Sequence, residues 1–498
     1  MIPLQILSMI EQKLSSYLPG VPIQNHFNLT IGTSSGGLIA LGTVMRGLSI
    51  ADCMTMLKSL SAEVFRPRLS ASGWARGRFS RLAMVYLFGS IYPSTYIDRF
   101  LHTLFGDKTL MDYCEAVSRG AKVAVTASGV PRGGYLMTNY NGTGSRRHRQ
   151  GWKHVRAAGP DSRVKVRDAA RSTAAAPGIF LPYTIPGVGP VQDGGLWQNN
   201  PQRIGEAEAR SSWPGNGLAD VILSLGTGYY DSGPASPSEA GSPLSPAVQK
   251  RPRRLFGGIM TMLSYARSVL GVVDSFMDGE MTHNMCKQED DRPETSRRLF
   301  RCNVKFGSQP PALDDVTALG RLQELTKAAY QDDPKVKKIS VAMLSTLFYF
   351  ELTTRPMRNR NGISCVGRII CDLEPGSDLD RFISSLVDEK AEFFVHGLAV
   401  PVQTQRIDYR TFRFEQCVSI SVQHLDSPFP VSLRVSGLGR DQTPGPISAS
   451  PFTLRRLVDA QGWNNHFGRD DFGPTSPVQA QRRGSQPDAS HQRKKVKR

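Results

Sequence analysis

The segment Phe27-Asn28-Leu29-Thr30-Ile31-Gly32-Thr33-Ser34-Ser35-Gly36-Gly37-Leu38-Ile39-Ala40 constrains this chain more than any other. A short apolar run of strand character meets a Gly/Ser turn, and an apolar helical pattern starts with no spacer. So sharp a turn needs glycine where the backbone passes close to its neighbours. It also leaves the central serine at a helix N-terminus, whose free N–H groups and positive dipole end favour developing negative charge. Gly32-x-Ser34-x-Gly36 has the form of a nucleophile elbow, a turn that lifts a serine hydroxyl out of a sheet. About 0.5 matches to so short a pattern arise by chance in a chain this long, so the strand before it and the helix after it carry the argument.

Further strand-like runs at 122–128 and 220–225 are separated by helical stretches, including 51–65 and 95–105, and residues 4–14 open the chain inside a helix. Strands alternating with helices predict a three-layer α/β unit with a mainly parallel sheet. Residues 230–254 are rich in Ser, Pro and Gly and read as a flexible insertion; helical pattern resumes at 256–276 and 315–331. Beyond 335 the runs 341–353, 364–372, 412–424 and 431–435 read as strands around one amphipathic helix at 377–396. These predict a smaller β-rich unit over 335–468, of unassigned role, and a disordered basic tail over 469–498. No stretch approaches 18 consecutive apolar residues, which argues against a membrane-spanning helix. The first residues show no export leader pattern. Seven cysteines without C-x-x-C or zinc-site spacing read as reduced thiols of an intracellular protein, and no metal site is expected.

An elbow serine needs a base. His283, His396, His424 and His466 stand in no recognisable loop after a strand, and each reads best as an ordinary core or surface histidine. The stronger partner is Asp193, in Val191-Gln192-Asp193-Gly194-Gly195. A carboxylate on a glycine turn can approach a serine hydroxyl directly and act as general base without an imidazole. Taken alone, Asp-Gly would be a mere turn. A phosphate-binding loop is argued against, because no Lys follows the glycines of GTSSGG.

Together these segments resemble the patatin-like phospholipase family. Phe27-Asn28-Leu29 with GTSSGGLIA (32–40) resembles the family's nucleophile segment, and AARSTAAAP (169–177) with Phe180 and Pro182 resembles the stretch before its aspartate. QDGGLWQNNP (192–201) and LSLGTG (223–228) follow in the family's order. A looser similarity to fungal-type members runs through PPALDDV (310–316), FYFEL (348–352) and PISASPF (446–452). The resemblance implies an acyl hydrolase domain over 1–334 and a catalytic dyad of Ser34 and Asp193, with Gly32, Ser35, Gly36, Gly194 and Gly195 as motif residues. It implies phospholipase A-type cleavage of carboxylic esters in glycerophospholipids or related lipids, in lipid catabolism, with no cofactor. The family also carries a Gly-rich loop, G-G-G-x-[RK]-G, ahead of its first helix, whose N–H groups form the oxyanion hole. This chain begins at Met1, within or just before that helix. Two readings follow: an N-terminally truncated chain, favoured because both dyad motifs are intact, or a catalytically impaired homologue that docks on membranes or serves as a scaffold.

The net charge of +18 at first suggests nucleic acid or an anionic membrane. The windows 66–81, 146–156, 250–254 and 476–498 hold +20 between them, so the other residues are close to neutral. Trp74, Phe79 and Trp152 interleave two of these clusters. Basic patches with aromatics suit docking to an anionic membrane surface, and no pattern for nucleic acid is present. The apolar run MVYLFGSIY (84–92) could press into lipid, although a core segment is the plainer reading. The expected location is the cytoplasm with peripheral membrane association; for Arg493–Arg498 a nuclear import signal and a solvated end both stay open.

Overall fold

The computed structural model describes residues 1–66, 84–85, 87–129, 133–141, 151–156, 163–213, 219–230, 279–289, 298–360, 362–404, 407–408, 413–438 and 443–463. The basic runs at 67–81, 146–150 and 250–254, the insertion from residue 231, the helix expected at 256–276 and the tail at 469–498 lie outside the described residues.

The first sheet is built from β1 (Leu29–Gly32), β2 (Lys122–Gly129), β3 (Gly134–Thr138), β4 (Trp152–His154), β5 (Tyr183–Ile185) and β6 (Gly189–Asp193). β2 is its spine. On one edge β2 pairs antiparallel with β3, from Ala124↔Thr138 to Ser128↔Gly134. The other edge is shared between two strands. β1 runs parallel along its first half, ending at Gly32↔Val125. β6 runs antiparallel along its second half, ending at Ala127↔Asp193. The two strands therefore point at each other and stop on either side of Thr126.

Side chains alternate across β2, as strand geometry requires. Val123, Val125 and Ala127 join the main core, which includes Leu38, Leu41 and Val44 of α2 (Ser35–Met45). Ala124 faces the opposite way, into a small cluster with Leu136, Ile204, Ile31, Trp152 and Trp197. Helices cover both faces, so the α/β class and its three layers stand. Within that class the pairing is mixed, and the parallel order expected of the sheet is confined to β1–β2 and β3–β4. The reason is loop length: β5 and β6 are joined by Pro186-Gly187-Val188, and only residues 130–133 separate β2 from β3. Short connections force antiparallel neighbours, because a parallel return needs a crossover of a dozen or more residues.

Helix α1 (Ile2–Leu14) buries Leu4, Leu7, Ile10 and Leu14 at helical spacing. Next come α3 (Ile50–Val64), capped by Ser49, which accepts the Asp52 N–H, and α4 (Ser94–Phe105). α5 (Val166–Thr173) lies in the α2 layer; α6 (Gly195–Gln198) and α7 (Gln202–Ser212) cover the other face. β7 (Ile222–Leu225) and β8 (Leu299–Cys302) form a separate parallel pair.

Residues 341–353, read from sequence as strand-like, divide into a helix and a strand. After α8 (Ala318–Tyr330), α9 spans Pro334–Ser345 and β9 spans Phe348–Leu352. Asp333 caps α9 by accepting the Lys335 N–H at 2.7 Å, and Pro334 suits the first turn. Val341-Ala342-Met343-Leu344 is buried on every side, so the run has no period by which helix and strand could be told apart. The helix expected at 377–396 stops earlier. α10 covers Ser377–Asp388, Lys390 adopts φ +52°, and the chain turns into the strand Glu392–Val395. The remaining C-terminal strands pair antiparallel in two sheets, joined through Phe348, whose ring meets Phe382, Phe393 and Phe414. All seven cysteines are free. Among the described residues no helix is long and apolar enough to cross a membrane.

Candidate active site

Ser34 sits between β1 and α2 with φ +54° and ψ −126°, in a region that non-glycine residues rarely adopt and that costs about 1–3 kcal/mol. The two motif glycines differ in what they do. A Cβ on Gly32 would lie 2.2 Å from the Gly36 carbonyl oxygen, so the turn closes only over glycine. A Cβ on Gly36 would meet nothing within 4 Å. Gly37, outside the motif, is the second tight position, with the Thr173 methyl 2.7 Å from its would-be Cβ.

Asp193 ends β6 and is 5% exposed. Its Oδ1 accepts the Gly195 N–H at 2.8 Å, and the Ser34 side chain lies near enough to favour the charged carboxylate. Its own N–H donates to the Ala175 carbonyl at 3.0 Å. Burial raises the Asp193 pKa from 3.8 to about 6, and these two groups oppose that rise. The group is thus ionised near neutral pH, yet more basic than an exposed carboxylate. Gly194 is fixed by packing, since a Cβ there would fall 2.0 Å from Thr126 Oγ1. The Gly195 N–H serves the carboxylate. Ser35 opens α2, and its N–H takes no partner among the described residues.

Ser34 and Asp193 line a cavity of about 1250 Å³, larger than the roughly 300–1,000 Å³ of ordinary small-molecule sites. Its wall includes Ile39, Ile50, Leu223, Leu225 and Phe350, side chains suited to an apolar ligand. Among the described residues β1 pairs only with β2 and β7 only with β8, and both strands border this cavity. No group of three His, Cys, Asp or Glu that could hold a metal occurs among the described residues. The buried His283 pairs with Gln202, Nδ1 to Oε1 at 2.9 Å.

Sequence reasoning misses several groups that hold this site. The Ser34 N–H donates to Thr173 Oγ1 at 2.9 Å. Thr33 Oγ1 lies 2.8 Å from Thr126 Oγ1 and donates to the Gln198 carbonyl at 3.0 Å. Behind the sheet, the buried Glu208 of α7 accepts from Tyr140 OH at 3.0 Å and Trp152 Nε1 at 3.1 Å. Its Oε1 also stands 3.0 Å from His154 Nε2. In the α2 layer the buried Arg171 bonds Asp98, Ser94 and the Leu181 carbonyl. In sequence the threonines hide within Ala-, Gly- and Ser-rich stretches. The elbow, the stretch 169–177 and Asp193-Gly194-Gly195 are visible as segments, but nothing in them singles out these supporting side chains.

Of the apolar run 84–92, Val85, Ile91 and Tyr92 are buried, whereas Leu87 is 68% and Phe88 49% exposed. The Ile91 and Tyr92 N–H groups donate to the carbonyls of Gly178 and Ile179, one and two residues past the cavity-lining Pro177.

The calcium-independent phospholipase A2-gamma of Oryctolagus cuniculus is 27% identical over 216 residues, 42% of this chain and 25% of that protein. A cGAMP-activated phospholipase of Vibrio cholerae is 27% identical over 235 residues, covering 45% of this chain and 58% of the relative. Phospholipase A I of Arabidopsis thaliana is 25% identical over 259 residues, covering 45% and 19%. The chain thus spans about a quarter of the length of the first of these relatives. The family model for patatin-like phospholipases matches residues 14–204, which include β1 to β6, Ser34 and Asp193, so this stretch of the chain is similar to a patatin-like phospholipase domain.

Proposed function

We propose that the chain is a serine lipid acyl hydrolase that cleaves carboxylic esters of glycerophospholipids or related lipids with a Ser34–Asp193 dyad. The observation that carries this reading is that the strained elbow places Ser34 on the wall of one large cavity together with Asp193, a buried carboxylate whose basicity is raised and to which the Ser34 side chain is coupled. The names of the relatives, all phospholipases, support the same class of substrate.

As Ser34 Oγ attacks the ester carbonyl, its proton passes to Asp193 and the carbonyl oxygen takes up negative charge. The Ser35 N–H at the start of α2 is one donor for that oxygen, in the field of the helix N-terminus. Collapse of the tetrahedral species breaks the ester bond, and the proton held by Asp193 goes to the departing alkoxide. A water then gives its proton to Asp193, attacks the acyl-enzyme and releases the fatty acid; the Asp193 proton returns to Ser34. Asp193 alone serves as base and acid, so its elevated basicity matches both roles. Docking on an anionic bilayer follows from the basic, aromatic-bearing clusters in the sequence, aided by the exposed Leu87 and Phe88.

A fluorophosphonate probe tests the reading. The wild-type chain is expected to be labelled and Ser34→Ala to be silent; equal labelling of the two eliminates Ser34 as nucleophile. Sedimentation with anionic vesicles tests docking, which should weaken as salt rises. Salt-independent or absent binding removes that part.

A further inference from the structure

We infer that Thr173 on one face of the sheet and the pair Thr33–Thr126 on the other are positioning residues that hold the turns of Ser34 and Asp193 in place beside each other. This inference rests on the dyad reading above. Its starting point is the sheet edge. β1 and β6 meet head to head beside Thr126, so nothing in the β-ladder ties the end of one to the end of the other. Ser34 also lies in a conformation that a serine would leave if released. Something outside the ladder must join the two turns and hold the strain.

The three threonines do this from both sides. Thr33 has one hydroxyl proton, and it goes to the Gln198 carbonyl, so Thr126 is the donor in the 2.8 Å contact between the two hydroxyls. The chain Thr126 to Thr33 to Gln198 links the middle of β2, the elbow and the helical turn after Asp193. That turn is bonded back to Gly194, whose carbonyl accepts the Trp197 and Gln198 N–H groups. Thr126 also packs directly on Gly194. On the other face Thr173, at the end of α5, accepts the Ser34 N–H, while its methyl packs on Gly37. Two residues further on, the Ala175 carbonyl accepts the Asp193 N–H. Each threonine is buried, and each fixes one catalytic turn through a group that is not itself catalytic. Thr173 has a further consequence: it takes the Ser34 N–H, which leaves the Ser35 N–H as the first donor at the helix start.

The test compares Thr173→Val, which keeps the shape and removes the acceptor, with Thr173→Ser, which keeps the acceptor and removes the methyl. Acylation is followed with p-nitrophenyl butyrate, and folding by urea denaturation. Thr173→Val should lower kcat by about 10–100-fold with KM nearly unchanged, the scale of effect a small misplacement of a reacting group produces. Thr173→Ser should recover most of that loss. Thr33→Val and Thr126→Val should each lower kcat, and the double variant should lose little more than either single one, because both break the same chain. The inference is overturned if Thr173→Val acylates at the wild-type rate or if Thr173→Ser is as impaired as Thr173→Val. Full additivity of the Thr33 and Thr126 effects also overturns it. Should the wild-type chain itself prove inert, the dyad reading fails, and exchange of the Ser34 amide hydrogen decides the positioning claim. Faster exchange in Thr173→Val than in wild type and Thr173→Ser sustains it; equal exchange refutes it.

Discussion

Replacing Asp193 by Asn should abolish acyl-enzyme formation and at the same time make the protein more stable at neutral and alkaline pH. The structural basis is the burial of the carboxylate, whose pKa rises from 3.8 to about 6, equivalent to about 3 kcal/mol between the two protonation states. The sign follows from linkage. The folded chain binds the Asp193 proton more tightly than the unfolded chain does, so wild-type stability falls as pH rises from 3.8 towards 6, and the full penalty stands above about 6. An Asn at this position does not titrate. Its amide oxygen can accept the Gly195 N–H, and its amide nitrogen can donate to Ser34 Oγ, so both present contacts keep a partner. Asp193→Asn should therefore exceed wild type by about 1–3 kcal/mol at pH 8, with the gain vanishing by about pH 4. Urea unfolding followed by tryptophan fluorescence at the two pH values measures the difference. In wild type, the rate of fluorophosphonate labelling should climb with pH through about 6 and then level off. A variant less stable than wild type at pH 8, or a stability difference that does not change with pH, would falsify the claim that burial sets the basicity of this carboxylate.

Other consequences follow from the packing. Gly32→Ala should prevent the elbow from closing and destabilise the chain by about 3 kcal/mol or more, because its Cβ meets backbone at 2.2 Å. Gly36→Ala, with open space around it at the start of α2, should fold and label normally; thermal melts and labelling of the two variants decide. Glu208→Ala removes the shared acceptor of Tyr140, Trp152 and His154 and should cost about 3–5 kcal/mol in urea unfolding, with Glu208→Gln milder. Leu87→Asp should leave the urea midpoint nearly unchanged, as its side chain is largely exposed, and should reduce sedimentation with anionic vesicles.

The elbow is readable in the sequence because its chemistry is local. Gly32, Ser34 and the apolar run into α2 are contiguous, and the steric demand at Gly32 involves an atom only four residues away. Asp193 is readable through its two following glycines and through its resemblance to a family, while its approach to Ser34 is a matter of register across 159 positions of chain. Helix α9 escapes the sequence reading because a run buried all round carries no period. Thr126 escapes it for a different reason: its importance comes from lying between the last paired residues of two other strands, and nothing in KVAVTAS marks that point.

The mixed sheet is what brings Ser34 and Asp193 together. β1 ends opposite Val125 and β6 ends opposite Ala127, on the same edge of β2, and their opposite directions bring both C-terminal ends to Thr126. Suppose instead that Val191–Asp193 paired with Ala127–Gly129 in parallel, as a mainly parallel sheet would require. Asp193 would then stand opposite Gly129, two residues further along, and the rise of a strand would carry it about 7 Å away from Ser34. A carboxylate at that distance could not take the serine proton without an intermediary. The short Pro186-Gly187-Val188 turn, which makes β6 the return strand of a hairpin, is therefore part of the proposed catalytic arrangement as much as of the fold. It lets a carboxylate come to the same turn as Ser34 with no imidazole between them.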